Sequence, residues 1–195
     1  MVEGVGSVEA MVVMIQPTSN FWKGKTVLVS GITGFKGSWL SLVLKELGAS
    51  VVGFGLKPDA DESSLFVDAN ISSKVDTEIV DITKLSHVRQ LFGVWRPEVV
   101  FHLAAQSLVR ESYDDPVKTF QVNVGGTVNI LEAARLSGCV EAFINVTSDK
   151  CYQNNGSGAR FVESDPLGGE DPYSASKACA EIVGNAYEKS FFLQR

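Results

Sequence analysis

From residue 26 onward, short runs of β-branched and apolar residues alternate with longer stretches in which apolar side chains recur every three or four positions. Strands are predicted at 26–30 (TVLVS), 50–54 (SVVGF), 78–81 (EIVD), 99–104 (VVFHLA) and 142–147 (AFINVT). The helix after the first strand carries Trp39, Leu40, Leu42, Val43, Leu44 and Leu47, and Gly48 stops it. A second helix over 85–95 ends before Pro97, a long one runs over 116–136 between Pro116 and Gly138, and a last one begins at 174. Residues 58–73 read as largely loop and residues 153–171, rich in Gly, Asp and Ser, as irregular. Strands apolar on both faces that alternate with helices imply an α/β fold: a doubly wound parallel sheet in a three-layer α/β/α arrangement.

With 195 residues, 45% of them hydrophobic, the chain has the material for one buried core, and two full domains would be cramped. Residues 1–20 stand apart as a leader expected to be disordered. The short apolar run at 11–15 follows Glu3 and Glu9 and lacks the basic start of a signal peptide. Residues 21–195 form the folded domain. A doubly wound sheet usually continues to a sixth strand, so five strands imply that a C-terminal substrate domain is lacking. The net charge of −6 leaves no basic stripe for nucleic acid or an anionic membrane, and no apolar run is long enough to span a bilayer. Cys139, Cys151 and Cys179 show no paired spacing, and His87 and His102 are the only histidines, so no metal site is expected and a reducing cytoplasm is the natural location.

An anionic ligand must then be held by local geometry. Gly31, Thr33, Gly34, Phe35, Lys36 and Gly37 lie between the first strand and the first helix, which is where a Rossmann-type fold grips a pyrophosphate. Gly31 permits a tight turn, Gly34 lets backbone approach the phosphates, and Gly37 allows close packing of helix on strand, while the helix start offers N–H groups and a positive dipole. Lys36 precedes its glycine, which excludes a Walker-type loop. A turn serving backbone geometry alone is the plainer alternative. After the second strand, neither an acid for a ribose hydroxyl nor an arginine for a 2′-phosphate stands in place. Asp59 comes late and Lys57 is a possible phosphate partner, so NAD is expected without excluding NADP.

Tyr173 and Lys177, four apart, share one face of the last helix. A phenol is a poor base near neutrality, and a neighbouring ammonium favours its ionised form, which makes the pair suited to proton transfer coupled to redox chemistry. Ser148, Asp149 and Lys150 follow the fifth strand, at the carboxyl edge where ligands of such sheets bind. The hydroxyl would complete a Ser/Tyr/Lys set, and the two charged residues add titratable groups that a simple oxidoreductase does not need. An exposed turn pair is the alternative for Asp149 and Lys150.

Four stretches carry a resemblance: GITGFKGSWL at 31–40, HLAAQSLVRESY at 102–113, NVTSDKCY at 145–152 and DPLGGEDPYSASKACAEIV at 165–183. They resemble the CDP-glucose 4,6-dehydratases, in the nucleotide-sugar dehydratase branch of the extended short-chain dehydrogenase/reductases. The resemblance implies that Asp81 and Ile82 contact adenine, that Leu103, Ala104 and Ala105 line the cofactor, and that Asn123 has a structural role. It further implies that Tyr173 acts as base at the sugar 4-hydroxyl with Lys177 and Ser148, that Asp149 and Lys150 assist elimination in unassigned roles, and that the product is CDP-4-keto-6-deoxyglucose. Asp149-Lys150 replaces the Asp-Glu of related dTDP-glucose dehydratases, and epimerases usually carry small residues there. A nucleotide-sugar substrate and a homodimer built through the long helix and the Tyr173 helix are implied as well. Family chains are longer, so a fragment with little turnover of its own is expected. A non-catalytic dinucleotide-binding module and an NADP-dependent sugar reductase or epimerase remain the alternatives.

Overall fold

The computed structural model describes residues 19–58, 63–154, 156, 158 and 160–193. Five strands form one sheet: β1 Thr26–Ser30, β2 Ser50–Gly55, β3 Asp76–Ile79, β4 Val99–His102 and β5 Ala142–Asn145. All neighbours pair in parallel, in the order β3-β2-β1-β4-β5. The helices are α1 Ser19–Trp22, α2 Phe35–Glu46, α3 Leu65–Asp68, α4 Leu85–Trp95, α5 Val109–Asp114, α6 Pro116–Phe120, α7 Gly126–Ser137 and α8 Pro172–Tyr187. Because crossover connections are right-handed, the reversal of direction at β1 puts α2 and α3 on one face and α4 and α7 on the other. One core joins Leu28, Val52 and Val100 to Val88 and Leu91 of α4 and Ile130 and Ala134 of α7. The other joins Val27, Val29, Val51 and Val99 to Leu44 of α2 and Phe66 of α3. Val27, Leu28 and Val29 have no exposed surface, which fits the central strand of a sheet covered on both sides. Each such side chain contributes about 1.5–3 kcal/mol by leaving water.

The strand at 26–30 and the helix at 85–95 lie where the pattern puts them. Other boundaries move for identifiable reasons. β2 gains Gly55, and β3 sits two residues earlier than expected because its register pairs Val52 with Asp76 and Gly55 with Ile79. As an edge strand it is mostly exposed, so its polar residues hide it from a search for apolar runs. β4 ends at His102, before the expected Ala104: the Leu103 amide is shared between the Ser30 carbonyl and hydroxyl, both at 3.1 Å, and the Ala104 amide donates to that hydroxyl at 3.2 Å. β5 likewise ends at Asn145. The long helix is interrupted: α6 passes into a π-helical turn over Gln121–Gly125 before α7, and α5 precedes it as a separate short helix. Within 58–73 the chain forms α3 and a short 3-10 turn at Ile71–Ser73. Residues 1–18 of the leader lie outside the described residues. Among the described residues, no helix is long and apolar enough to cross a membrane.

Candidate functional site

The loop from β1 to α2 shows why its glycines are spaced as they are. Gly31 has φ +74°, a left-handed conformation that favours glycine, and a Cβ there would lie 2.8 Å from the Ala104 nitrogen. At Gly37 a Cβ would collide with the Gly31 carbonyl oxygen, so this glycine lets α2 close onto the strand. Gly34 differs from both. Its φ of −81° suits any residue, and the nearest protein atom to a Cβ there is the Gly31 oxygen at 3.4 Å. It is the N-cap of α2, and no side chain caps that end, so the helix presents its first amides and the positive end of its dipole to the space in front.

That space is a cavity of about 430 Å³ at the carboxyl edge of the sheet. Gly31, Thr33, Gly34, Phe35, Lys36 and Gly37 form one side. Asp81 and Ile82 stand beyond β3, where the Asp81 carboxylate accepts from the Thr83 amide at 2.9 Å, and Leu103, Ala104 and Ala105 form the wall beyond β4. Tyr173 and Lys177 of α8 close it. Further lining residues that were not singled out from the sequence are Phe54 and Gly55 at the end of β2, Leu56 after it, Val80 after β3, Val146 and Thr147 after β5, and Ser107 and Val122. Apart from Ser107 and Val122, their common signal is position at or just past the end of a parallel strand, a rule stronger than any motif they carry. Lys57 is exposed and outside this lining, and Asp59 lies outside the described residues.

α8 starts with Pro172 after Asp171, whose carboxylate accepts from the Ser174 amide at 2.9 Å. Tyr173 and Lys177 are both buried, 9% and 7% exposed, and the Lys177 ammonium donates to the Val146 carbonyl at 3.3 Å. Burial and the nearby Lys36 cation lower the Lys177 pKa to about 8, against an opposing pull from Glu181. The residues after β5 are placed differently. Ser148 caps a 3-10 turn at Asp149–Cys151, accepting from the Lys150 amide at 3.2 Å and donating to Asp149 Oδ1 at 3.1 Å. Its hydroxyl is thus engaged locally, and the structure does not bring it into the cavity of Tyr173 and Lys177. Asp149 and Lys150 line a second cavity of about 340 Å³ together with Asp171 and Ser174, bounded by Tyr152 and Phe161, whose rings stack at 5.1 Å.

The family model for GDP-mannose 4,6 dehydratase matches residues 28–195, from the third residue of β1 to beyond α8. The chain belongs to this family. Among relatives of this GDP-mannose 4,6-dehydratase family chain, the CDP-glucose 4,6-dehydratase of Salmonella typhimurium is 48% identical over 174 residues, covering 89% of this chain and 48% of the relative. The UDP-glucose 4-epimerase of Mycolicibacterium smegmatis is 35% identical over 85% of this chain and 52% of its own length. The structure of the Thermus thermophilus UDP-glucose 4-epimerase, solved in complex with NAD, matches with a TM-score of 0.75 and 33% identity over 86% of this chain and 52% of that one. The family chain described here therefore spans about half the length of the relatives it matches.

Proposed function

We propose that these residues are the cofactor and reaction half of an NAD-dependent nucleotide-sugar 4,6-dehydratase that converts CDP-glucose to CDP-4-keto-6-deoxyglucose and water. The carrying observation is that the open start of α2 and the buried pair Tyr173 and Lys177 face one cavity. Gly34 supports the fit of a dinucleotide, because no packing within the protein accounts for a glycine there, while close approach of a pyrophosphate does. The NAD complex of the Thermus thermophilus epimerase and the identity to the Salmonella CDP-glucose dehydratase support cofactor and substrate.

NAD, when bound, supplies the hydride acceptor and donor. Tyr173 takes the proton of the sugar 4-hydroxyl, with the Lys177 ammonium lining the same cavity. The 4-keto group acidifies the C5 proton. Asp149 and Lys150, which line the second cavity, are the pair that removes that proton and protonates the departing 6-hydroxyl, which leaves as water; the 5,6-double bond so formed would then take back at C6 the hydride given up at C4, and a proton at C5, to give the 6-deoxy product. An epimerase has no need of such a pair, which favours dehydration. The test is mass spectrometry of CDP-glucose incubated with NAD and the 195-residue polypeptide. Slow accumulation of the dehydrated sugar nucleotide is expected, below about one turnover per second. Asp149→Asn is expected to abolish it while NAD still binds. Product formation at the unaltered rate by that variant refutes the role of Asp149, and bound NAD with no conversion favours a binding module instead.

The proposal extends to a homodimer built on the helices over 116–137 and α8. Support comes from exposed apolar side chains on them, Val117 at 65% and Ile182 at 57%. A reducing, cytoplasmic location accords with Cys139, Cys151 and Cys179 all being free thiols.

A further inference from the structure

We propose that His102, in its neutral Nε2–H form, is a positioning residue that fixes the spacing between the glycine loop and the 103–105 wall of the cavity. The hydrogen-bond directions leave one arrangement. The Ser30 hydroxyl oxygen accepts from the Ala104 amide at 3.2 Å and shares the Leu103 amide with the Ser30 carbonyl, both at 3.1 Å, and its proton goes to His102 Nδ1 at 2.8 Å. On the other side of the ring, the Thr127 hydroxyl gives its proton to the Asn123 carbonyl at 2.6 Å, so its oxygen accepts from His102 Nε2 at 3.1 Å. Nδ1 therefore carries no proton and Nε2 carries one.

The chain of bonds runs on from there. The Asn123 side chain accepts from the Gln106 amide at 2.8 Å and donates to the Gln106 carbonyl at 2.9 Å and to Ser176 Oγ at 2.8 Å. Ser176 in turn donates to the Tyr173 carbonyl at 2.7 Å. Ser30 directly precedes Gly31, and Ser176 directly precedes Lys177, so one buried network joins the phosphate-facing loop to the helix of the redox pair. Within it the imidazole is the only aromatic group, accepting on the glycine-loop side and donating on the helix side. Burial, reinforced by the Lys177 cation, lowers the His102 pKa to about 3, so the ring keeps this polarity at neutral pH. The tolerance is narrow, because Gly31 and Ala104 already touch at the limit that excludes a Cβ.

The two arms are separated by two variants. His102→Asn keeps an acceptor near the Nδ1 position and loses the Thr127 arm, whereas His102→Gln keeps a donor near Nε2 and loses the Ser30 arm. Hydrogen exchange of the Ala104 amide, measured without cofactor, is expected to rise about tenfold or more in His102→Gln and to stay within about threefold in His102→Asn. NAD affinity, which rests on the proposed function, is expected to follow the same split, with a loss of about tenfold for Gln. Nitrogen NMR of the unaltered protein between pH 5 and 8 is expected to show a single Nε2–H tautomer. A Nδ1–H form, a titration within that range, or equal exchange in the two variants overturns the inference. Absence of NAD binding in the unaltered chain with the exchange split intact counts against the proposed function alone.

Discussion

Lys177 and His102 show how burial decides what a side chain does in this cavity. The Lys177 ammonium, with its pKa near 8, is still largely charged at neutral pH, and Lys36 contributes to that lowering. Lys36→Gln is therefore expected to raise the Lys177 titration point, measured by NMR of the labelled lysine side chain; no change would show that the two cations do not interact. For His102 the sign follows from its two states. The unfolded ring binds a proton below about pH 6.5 and the folded ring only near 3, so the unfolded state holds the extra proton between them. Stability is expected to fall as pH drops through that window, by up to about 1.4 kcal/mol per pH unit, and denaturant melts of His102→Asn should show a shallower fall. Gly31, Gly37, Tyr173 and Lys177 were legible in the sequence because each has a spacing tied to a backbone or helical geometry. The Ser148 hydroxyl, expected to complete a Ser/Tyr/Lys set, bonds within its own turn in this structure, a local preference that strand-end position alone does not reveal.

At the scale of elements, what was legible depended on burial. α4 and β1 were placed by their apolar pattern since both pack on a core, whereas β3 is an exposed edge whose register only its partner fixes. The π turn over Gln121–Gly125 was hidden because helical periodicity continues through it, although it is the turn that aims Asn123 at Gln106 and Ser176. α8 depends on its start. Asp171 bonds both the amide and the hydroxyl of Ser174, at 2.9 and 2.5 Å, two residues from Tyr173. Asp171→Ala is expected to cost about 1 kcal/mol in chemical denaturation, and a change within a few tenths would mean that α8 is held by packing alone.

For the molecule as a whole, the order β3-β2-β1-β4-β5 places the cavity where the connections switch direction, between the ends of β1 and β4. The parallel α/β class followed from the alternation of elements, and the topology supplied what the sequence lacked: Asp149 and Lys150 occupy a cavity beside, not within, that of Tyr173 and Lys177. If the proposed dimer forms through these helices, Val117→Lys and Ile182→Lys together should yield a monomer in sedimentation, and an unchanged dimer would place the interface elsewhere. The grip of α2 on a pyrophosphate is tested most directly by calorimetric titration of NAD into the unaltered chain and into Gly34→Ala. The alanine has room in the protein and a permitted φ, so folding should be preserved at a cost of up to about 1 kcal/mol. Saturable binding of one NAD per chain, weakened about tenfold or more by Gly34→Ala, is the expected result; equal affinity in the two proteins, or no binding by the unaltered one, would contradict it.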